Sequence, residues 1–572
     1  NPRYRSDLHA TLMKEPGLDP RRLELPGCKR RHIDFGETIH EIRAGPGVTG
    51  LSKLFMKTSY AFVLLSFFLG PLLASSAEKP NILFIYTDDH SHRTVGSYPE
   101  SYDWVKTPNI DALAEKGVRF KYAYIGTWCM PSRATLLTGH HQHGIESMRM
   151  EGDYPGSKYD PEKAPFWPKV FRENGYQTAQ IGKWHTGDDT GFGRDWDYQI
   201  VWNRPRHKKN AGNYYKDQLI EFNGGEAEMV KGYSTDNYTR WAMEYLEGKG
   251  RQEGKPWYLW LCYGAVHGPF TPAKRHLEAY PDLKVPAPVN IYPPRPGKPA
   301  YIQNIESWVK GEDGQPHLKG RKRATGESSH GTGIHGSSYR DWVRQYHQGV
   351  LALDEAVGTL IQGLKDTGQY ENTMVVFTSD QGFAWGQNGF RTKVAPYDAN
   401  IRSPLIVSQP KTIPAGKVCD APAAGVDLVP TFFEVAGIDL PSKMHGRSLL
   451  PLLKDPENRQ NKRSVMTVFT ARKYGSDTNE IPTDPKELLL VGGVPWYTSL
   501  QDGKYKYIRN FVEGEIEELY DLDTDPEELH NLALGKENRD RVLRMRAETV
   551  AELERTDAGM VDNLPEVADL PE

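Results

Sequence analysis

Six short stretches carry side chains able to do chemistry together. Asp88-Asp89 follows the apolar run 81–86. Adjacent carboxylates at a strand terminus repel one another unless a cation lies between them. Oxygen-only ligands select a hard ion, Ca2+ or Mg2+; alone, such a pair is usually solvated surface. Asp380-Gln381-Gly382 follows the run 374–378 and offers a further carboxylate and an amide oxygen. Gly182-Lys183-Trp184-His185-Thr186-Gly187 follows the run 178–181. Lys183 and His185 stand two apart, so in extended backbone both point the same way. His267-Gly268-Pro269-Phe270 comes after the run 258–263. Lys393 precedes Tyr397-Asp398 and Arg402-Ser403-Pro404. Taken singly, His267 reads as a hydrogen-bonded structural histidine and Lys393 as a surface lysine. The sixth stretch, Cys129-Met130-Pro131-Ser132-Arg133, leads into Ala134-Thr135-Leu136-Leu137-Thr138-Gly139. By itself it reads as a free thiol at a helix N-terminus.

The elements that must position these groups alternate in type. Short apolar runs at 81–86, 258–263, 374–378 and 404–407 suit strands covered on both faces. Helical patterns at 110–116, 163–174, 236–246 and 341–364 fall between them. The alternation predicts an α/β fold, a large, mostly parallel sheet sandwiched by helices. Ligands in such sheets bind at the carboxyl ends of strands, where the polar residues sit here. Residues 270–340 are rich in Pro, Gly, His and Lys and read as a long loop insertion. From 464 to 572, alternating strands at 466–470, 496–501 and 505–509 and a helix from about 538 to 555 predict a smaller C-terminal subdomain with an antiparallel sheet.

The Cys129–Gly139 stretch resembles the signature of the type I, formylglycine-dependent sulfatases, in the alkaline phosphatase-like superfamily. The resemblance extends in order through Asp88-Asp89, Gly182–Gly187, His267–Phe270, Asp380-Gln381 and Lys393. It continues through Val426-Asp427-Leu428-Val429-Pro430-Thr431 and Glu518-Leu519-Tyr520-Asp521, covering about residues 79–555. Gln381 matches the last metal position, where the family has Asn, Gln or His. Two positions depart from the family pattern: Asp398 stands where Glu is usual, and Ser403 where Val is usual. Neither change removes a catalytic group.

The resemblance implies sulfate monoester hydrolysis, with Cys129 oxidised to formylglycine by a formylglycine-generating enzyme. It implies one Ca2+, Mg2+ being the lesser alternative, held by Asp88, Asp89, Asp380, Gln381 and the modified residue 129. Arg133 and Lys183 then hold the aldehyde hydrate, and Lys393 and His267 contact sulfate oxygens. One of these two, His267 for preference, protonates the leaving group, and His185 takes the proton that restores the aldehyde. Specificity must lie in loops, with candidates at Trp202-Asn203-Arg204-Pro205, at Arg321-Lys322-Arg323 and at Trp385. A sulfated carbohydrate is the expected substrate. Two rival readings remain open: a phosphate or phosphonate monoester hydrolase of the same fold, and an exported sulfoglycan-binding protein without turnover.

The chain has 572 residues, 38% hydrophobic and 26% charged, with a net charge of −4. That composition excludes disorder and coiled coil as the main state, and the charge calls for no nucleic acid. Four cysteines are too few for a disulfide scaffold; one Cys262–Cys419 bridge is the pairing considered. Residues 56–77 read as a signal peptide: Lys57, the apolar core 61–73, then Ser75 and Ala77 at cleavage spacing. A single membrane anchor is the alternative, but the core is short of the roughly 20 residues a span needs. No stable membrane insertion is expected, and residues 1–55 read as an upstream extension from a start placed too early. The expected location is periplasmic or extracellular, with domains at 78–463 (catalytic) and 464–572.

Overall fold

The computed structural model describes residues 79–571, apart from 151, 153, 304, 321–337 and 459. The proposed extension and signal peptide, and Arg321-Lys322-Arg323, lie outside the described residues. Residues 78–572 form one compact unit.

Ten strands build the central sheet: β1 (Asn81–Thr87), β2 (Val118–Phe120), β3 (Gln177–Trp184), β4 (Tyr198–Asn203), β5 (Lys216–Phe222), β6 (Glu228–Tyr233), β7 (Trp257–Cys262), β8 (Thr373–Ser379), β9 (Leu405–Ser408) and β10 (Lys417–Cys419). Their spatial order is β10-β2-β9-β8-β1-β7-β3-β4-β5-β6. The centre, β8-β1-β7-β3-β4, is parallel. Toward both edges the sheet turns antiparallel, through β9 on one side and β5 and β6 on the other. The parallel character expected from the apolar runs therefore belongs to the centre.

β1 shows why those runs are apolar throughout. Its burial is complete along its length, and its side chains alternate between two cores. Phe84 and Tyr86 meet Met374, Val376, Tyr258 and Trp260 under the helices α2 (Cys129–Thr138), α3 (Pro168–Glu173) and α6 (Gly425–Ala436). Leu83 and Ile85 meet Ile181, Leu259 and Val375 under α1 (Pro108–Glu115), α4 (Ser234–Leu246) and α5 (Tyr339–Asp366). A strand covered on both faces has no polar face to alternate with.

α3 is shorter than the helical pattern at 163–174. Pro165 and Pro168 block helix to their N-terminal side, and Pro168 takes the first helical position, where its missing N–H is no loss. The segment 270–340 is more structured than a plain loop, with a helical turn at Ala300–Gln303 and a hairpin pairing Trp308–Lys310 with Pro316–Leu318. Buried Arg295 ties it down by donating to the carbonyls of Asn290, Ile291, Ile302 and Ile305. β11 (Val465–Phe469), β12 (Tyr497–Gln501), β13 (Tyr505–Asn510) and β14 (Glu518–Asp521) form a four-stranded antiparallel sheet backed by α7 (Arg539–Arg555). Cys262 and Cys419 are both free, buried thiols, so the bridge between them is not formed. No helix among the described residues is long and apolar enough to cross a membrane.

Candidate active site

The parallel strands deliver their polar followers to one place. Asp88 and Asp89 succeed the last residue of β1, and Asp380 succeeds that of β8, its register partner. Lys183 is the penultimate residue of β3, His185 lies just beyond that strand, and His267 follows β7. Gly182 permits the approach of β3 to β7: a Cβ there would stand 2.1 Å from the Cys262 carbonyl oxygen, and its φ is +106°. Asp89 has φ +56°, a left-handed turn that sets its carboxylate beside that of Asp88.

Cys129 is the first residue of α2 and is buried. Pro131 lies in the first turn, where backbone N–H groups have no helical partner to lose. Ser132 Oγ donates to the Trp128 carbonyl at 2.7 Å and fixes the entry to the helix. Arg133, one turn after Cys129, shares its face, and Gly139 ends the helix in the left-handed conformation.

Cys129 Sγ lies 3.3 Å from Asp88 Oδ1 and 2.9 Å from Lys393 Nζ. Lys393 Nζ also donates to Asp89 Oδ1 at 2.6 Å, and Lys183 donates to Asp88 Oδ2. Arg133 Nη2 stands 3.5 Å from both Asp88 Oδ2 and Asp380 Oδ2. The Asp89 N–H donates to Asp380 Oδ1 at 2.9 Å, and Gln381 Nε2 donates to Asp89 Oδ1. His267 pairs Nδ1 with its neighbour's carbonyl, Gly268 O, at 2.7 Å and turns Nε2 toward Asp89 Oδ2, 3.7 Å away. Nδ1 therefore carries the proton in the neutral ring. His185 faces Arg204, whose Nη1 lies 3.0 Å from Nδ1 and 3.1 Å from Nε2. A guanidinium only donates, so His185 accepts and is neutral.

The charges set the protonation states. Burial pushes the Asp88 carboxyl up, but Lys183, His267 and Arg133 outweigh it and hold it well below the usual range. Burial and the Asp88 charge raise Asp380 to about 7, and burial raises Asp89 despite Lys393. Burial, then Asp88, pushes the Cys129 thiol up to about 12. The unmodified residue is thus a poor nucleophile, protonated at neutral pH. Burial and Arg204 drive His185 well below its ordinary value, and burial and Lys393 do the same to His267.

The carboxylate and amide oxygens gathered here suit a hard cation. Asp88, Asp89, Cys129 and His267 each present a donor atom, all within 4.8 Å of one another. Gln381 Oε1 is a buried oxygen without a hydrogen-bond partner, and Asp380 Oδ2 has only the Arg133 guanidinium at 3.5 Å; an orphaned buried acceptor such as Gln381 Oε1 calls for a positive group. His267 enters the tight group although it was not among the expected ligands, and Asp380 and Gln381 border it through Asp89.

The sequence expectations at Trp202 and Trp385 need correction. Both are fully buried. Trp202 packs on Tyr214 with ring centroids 5.0 Å apart, and Trp385 packs on Tyr346 at 5.0 Å. Arg204 does reach the site. Tyr214, which no sequence motif marks, stacks on His267 at 3.9 Å between centroids. Its position in a polar stretch, Asn213-Tyr214-Tyr215, gave no periodic signal.

This site and sheet define the sulfatase class of α/β hydrolases. The family model for sulfatases matches residues 80–438, and the chain belongs to that family; its activity is sulfate ester hydrolysis. It is 28% identical over 546 residues to an N-acetylglucosamine-6-O-sulfatase of Bacteroides thetaiotaomicron, covering 86% of this chain and 88% of the relative. The human N-acetylglucosamine-6-sulfatase is 26% identical, with 82% and 84% covered. A protein solved in complex with its substrate, D-glucosamine-2-N,6-O-disulfate, superimposes with a TM-score of 0.68 at 26% identity, over 85% of this chain and 99% of that one. A phosphonate monoester hydrolase of Agrobacterium radiobacter shares the fold at a TM-score of 0.59 and 21% identity, over 83% and 96%.

Proposed function

We propose that the protein hydrolyses a 6-O-sulfate ester of a glucosamine-type sugar, through Cys129 converted to formylglycine and one Ca2+. The observation that carries this is the cage around residue 129: Lys393 at 2.9 Å and Asp88 at 3.3 Å, beside the Asp380 carboxylate and the unpartnered buried oxygen of Gln381. The sugar is suggested by the glucosamine-6-sulfatases among the relatives.

Asp88, Asp89, Asp380 and Gln381 would hold the cation next to residue 129, and an all-oxygen set of this size favours Ca2+ over Mg2+. When present, the cation supplies Lewis-acid polarisation of the sulfate, and the aldehyde hydrate supplies a nucleophilic hydroxyl with a second hydroxyl for turnover. Arg133 and Lys183, anchored on Asp88, keep positive charge against the nucleophilic residue. Lys393 Nζ neutralises the sulfate oxygens where negative charge develops. His267 keeps its Nδ1 proton on the Gly268 carbonyl, so Nε2 takes a proton from solvent as the anionic substrate arrives and gives that proton to the leaving sugar oxygen. Burial keeps that ring neutral until negative charge arrives beside it. His185, neutral and held by Arg204, is the base that removes the hydroxyl proton of residue 129.

Maturation by a formylglycine-generating enzyme and export to the periplasm or beyond belong to this proposal; the apolar stretch 61–73 supports the export. The test of the reaction is sulfate release from N-acetylglucosamine 6-sulfate set against phosphate release from the 6-phosphate. Sulfate release should dominate. A strong preference for the phosphate ester would make the chain a phosphohydrolase on the same fold.

A further inference from the structure

The turn that carries Asp89 is held from outside itself. Asp89 stands in the left-handed region, φ +56°, which a residue with a Cβ keeps only where its surroundings demand it. Its N–H donates to Asp380 Oδ1 at 2.9 Å, and the His90 N–H donates to Ser379 Oγ at 2.9 Å. Two further groups, the Asp89 carbonyl and the Ser91 N–H, meet a single side chain. The Tyr346 hydroxyl donates to the Asp89 carbonyl and accepts from the Ser91 N–H, 3.0 Å away. One phenolic oxygen thus bridges both ends of the turn 89–91.

Tyr346 belongs to α5, 257 residues further along the chain, and is fully buried. Trp342, Val343, Tyr346 and Val350 recur at the spacing of one helix face, and all four join a buried cluster with Phe270 and Phe383. The Tyr346 ring centroid lies 5.1 Å from that of Phe270, 5.6 Å from Phe383 and 5.0 Å from Trp385. Phe270 stands three residues after His267, and Phe383 three after Asp380. The neighbouring Gln345 donates from Nε2 to the Pro269 carbonyl at 3.2 Å. Tyr346 is therefore packed on two of the loops that deliver site groups and hydrogen-bonded to a third. A ring wedged among three aromatic side chains has no room to take its hydroxyl elsewhere. That hydroxyl touches backbone alone, while the Asp89 carboxylate faces Lys393, Gln381 and His267.

We propose that Tyr346 is a positioning residue for the cation: its hydroxyl fixes the turn 89–91 and so holds the Asp89 carboxylate at the metal site. The arrangement needs such a tie. Asp88 and Asp89 are adjacent like charges, and relaxation of the left-handed turn would carry one carboxylate away from the other. Loss of the hydroxyl leaves a buried carbonyl and a buried N–H unpaired together, and the turn must shift for either to find a partner. The inference rests on the reading that Asp89 is a ligand of the cation and adds the residue that sets it in place.

The test reads metal affinity. Metal-free wild-type, Tyr346→Phe and Tyr339→Phe proteins are each titrated calorimetrically with Ca2+. Tyr346→Phe keeps the packed ring and removes only the oxygen. Tyr339→Phe makes the same change two turns earlier on α5, where the hydroxyl makes no hydrogen bond to residues 88–91. Tyr346→Phe should weaken Ca2+ binding about 10- to 100-fold, the usual effect of losing a group that orients a metal ligand, and Tyr339→Phe should leave it unchanged. Activity of Tyr346→Phe should fall at limiting Ca2+ and recover as Ca2+ is raised to saturation. A lowered melting temperature with unchanged Ca2+ affinity would show a structural role alone and overturn the proposal, as would equal weakening in the two variants. If the wild-type protein bound no Ca2+, the cation reading itself would fall, and this inference with it.

Discussion

At the scale of single residues, the proposed reaction divides the site into groups that would hold the cation and groups that would move protons, and substitution separates them. Asp380→Ala removes one ligand and leaves Asp88 and Asp89 repelling across the gap. Metal content by elemental analysis and activity should fall together, with little change in the circular dichroism spectrum, because Asp380 lies at a strand end. Cys129→Ser should retain the metal yet not turn over, since a serine lacks the second hydroxyl. His185→Ala should release about one equivalent of desulfated sugar and then stall, a burst visible in rapid-quench assays. His267→Ala should slow the first step by about 10²–10⁴-fold on a sugar sulfate and far less on an aryl sulfate, whose leaving group needs little acid help. A variant equally slow on both substrates would move the acid role to Lys393, the other proton donor facing Cys129.

At the scale of elements, two buried clusters join loops to the scaffold, and both make predictions. Lys506 of β13 is completely buried and pairs with Asp398 at 2.7 Å and Glu528 at 2.9 Å. It thereby links the loop carrying Lys393 to the C-terminal sheet. Lys506→Ala removes the cation that Glu528 and Asp398 share, leaving Asp398, among the described residues, only the Arg402 cation at 3.5 Å, and should destabilise the fold by about 3–5 kcal/mol, read from denaturant unfolding. The second cluster gathers His141 and His143, which follow α2, with His445. Burial, helped by Arg555, lowers His141 to about 3, and burial with His141 lowers His143 to about 3. Their folded pKa values are depressed, so the unfolded chain binds the extra protons below about pH 6.5. Stability is full above that pH and falls as pH drops toward 3, by roughly 1.4 kcal/mol per pH unit for each histidine. His143→Gln should make the fall between pH 6 and 4.5 shallower by one such increment; an unchanged slope would refute the assignment.

The same scale shows what the sequence could reveal. The central strands were legible because a strand covered on both faces must be apolar throughout, and their polar followers mark the carboxyl ends. The edge hairpin of β5 and β6 was not: Lys216, Glu228, Met229 and Lys231 face solvent, so no apolar run announces it. The site's principal groups could be read from motif order, because each motif is local. Tyr214 and the pairing of Arg204 with His185 could not, since they arise from the packing of β4 and its following loop against β3 and β7, contacts between residues distant in sequence.

At the scale of the whole molecule, the fold alone does not choose between sulfate and phosphonate chemistry, as the shared fold of the phosphonate hydrolase shows. The choice rests on residue 129. As a thiol with its pKa pushed up to about 12, it is a protonated, buried group beside a candidate metal site. As the aldehyde hydrate we propose, it would be the nucleophile around which Arg133, Lys183, His185 and Lys393 make sense together. The most direct measurement is therefore the mass of the peptide containing Cys129, taken from active protein made in a host with the maturation enzyme. The expected result is a residue in which one oxygen has replaced the sulfur and two hydrogens of cysteine, in a fraction that rises in proportion to sulfatase activity. Full activity in protein whose residue 129 is entirely unmodified cysteine would contradict it.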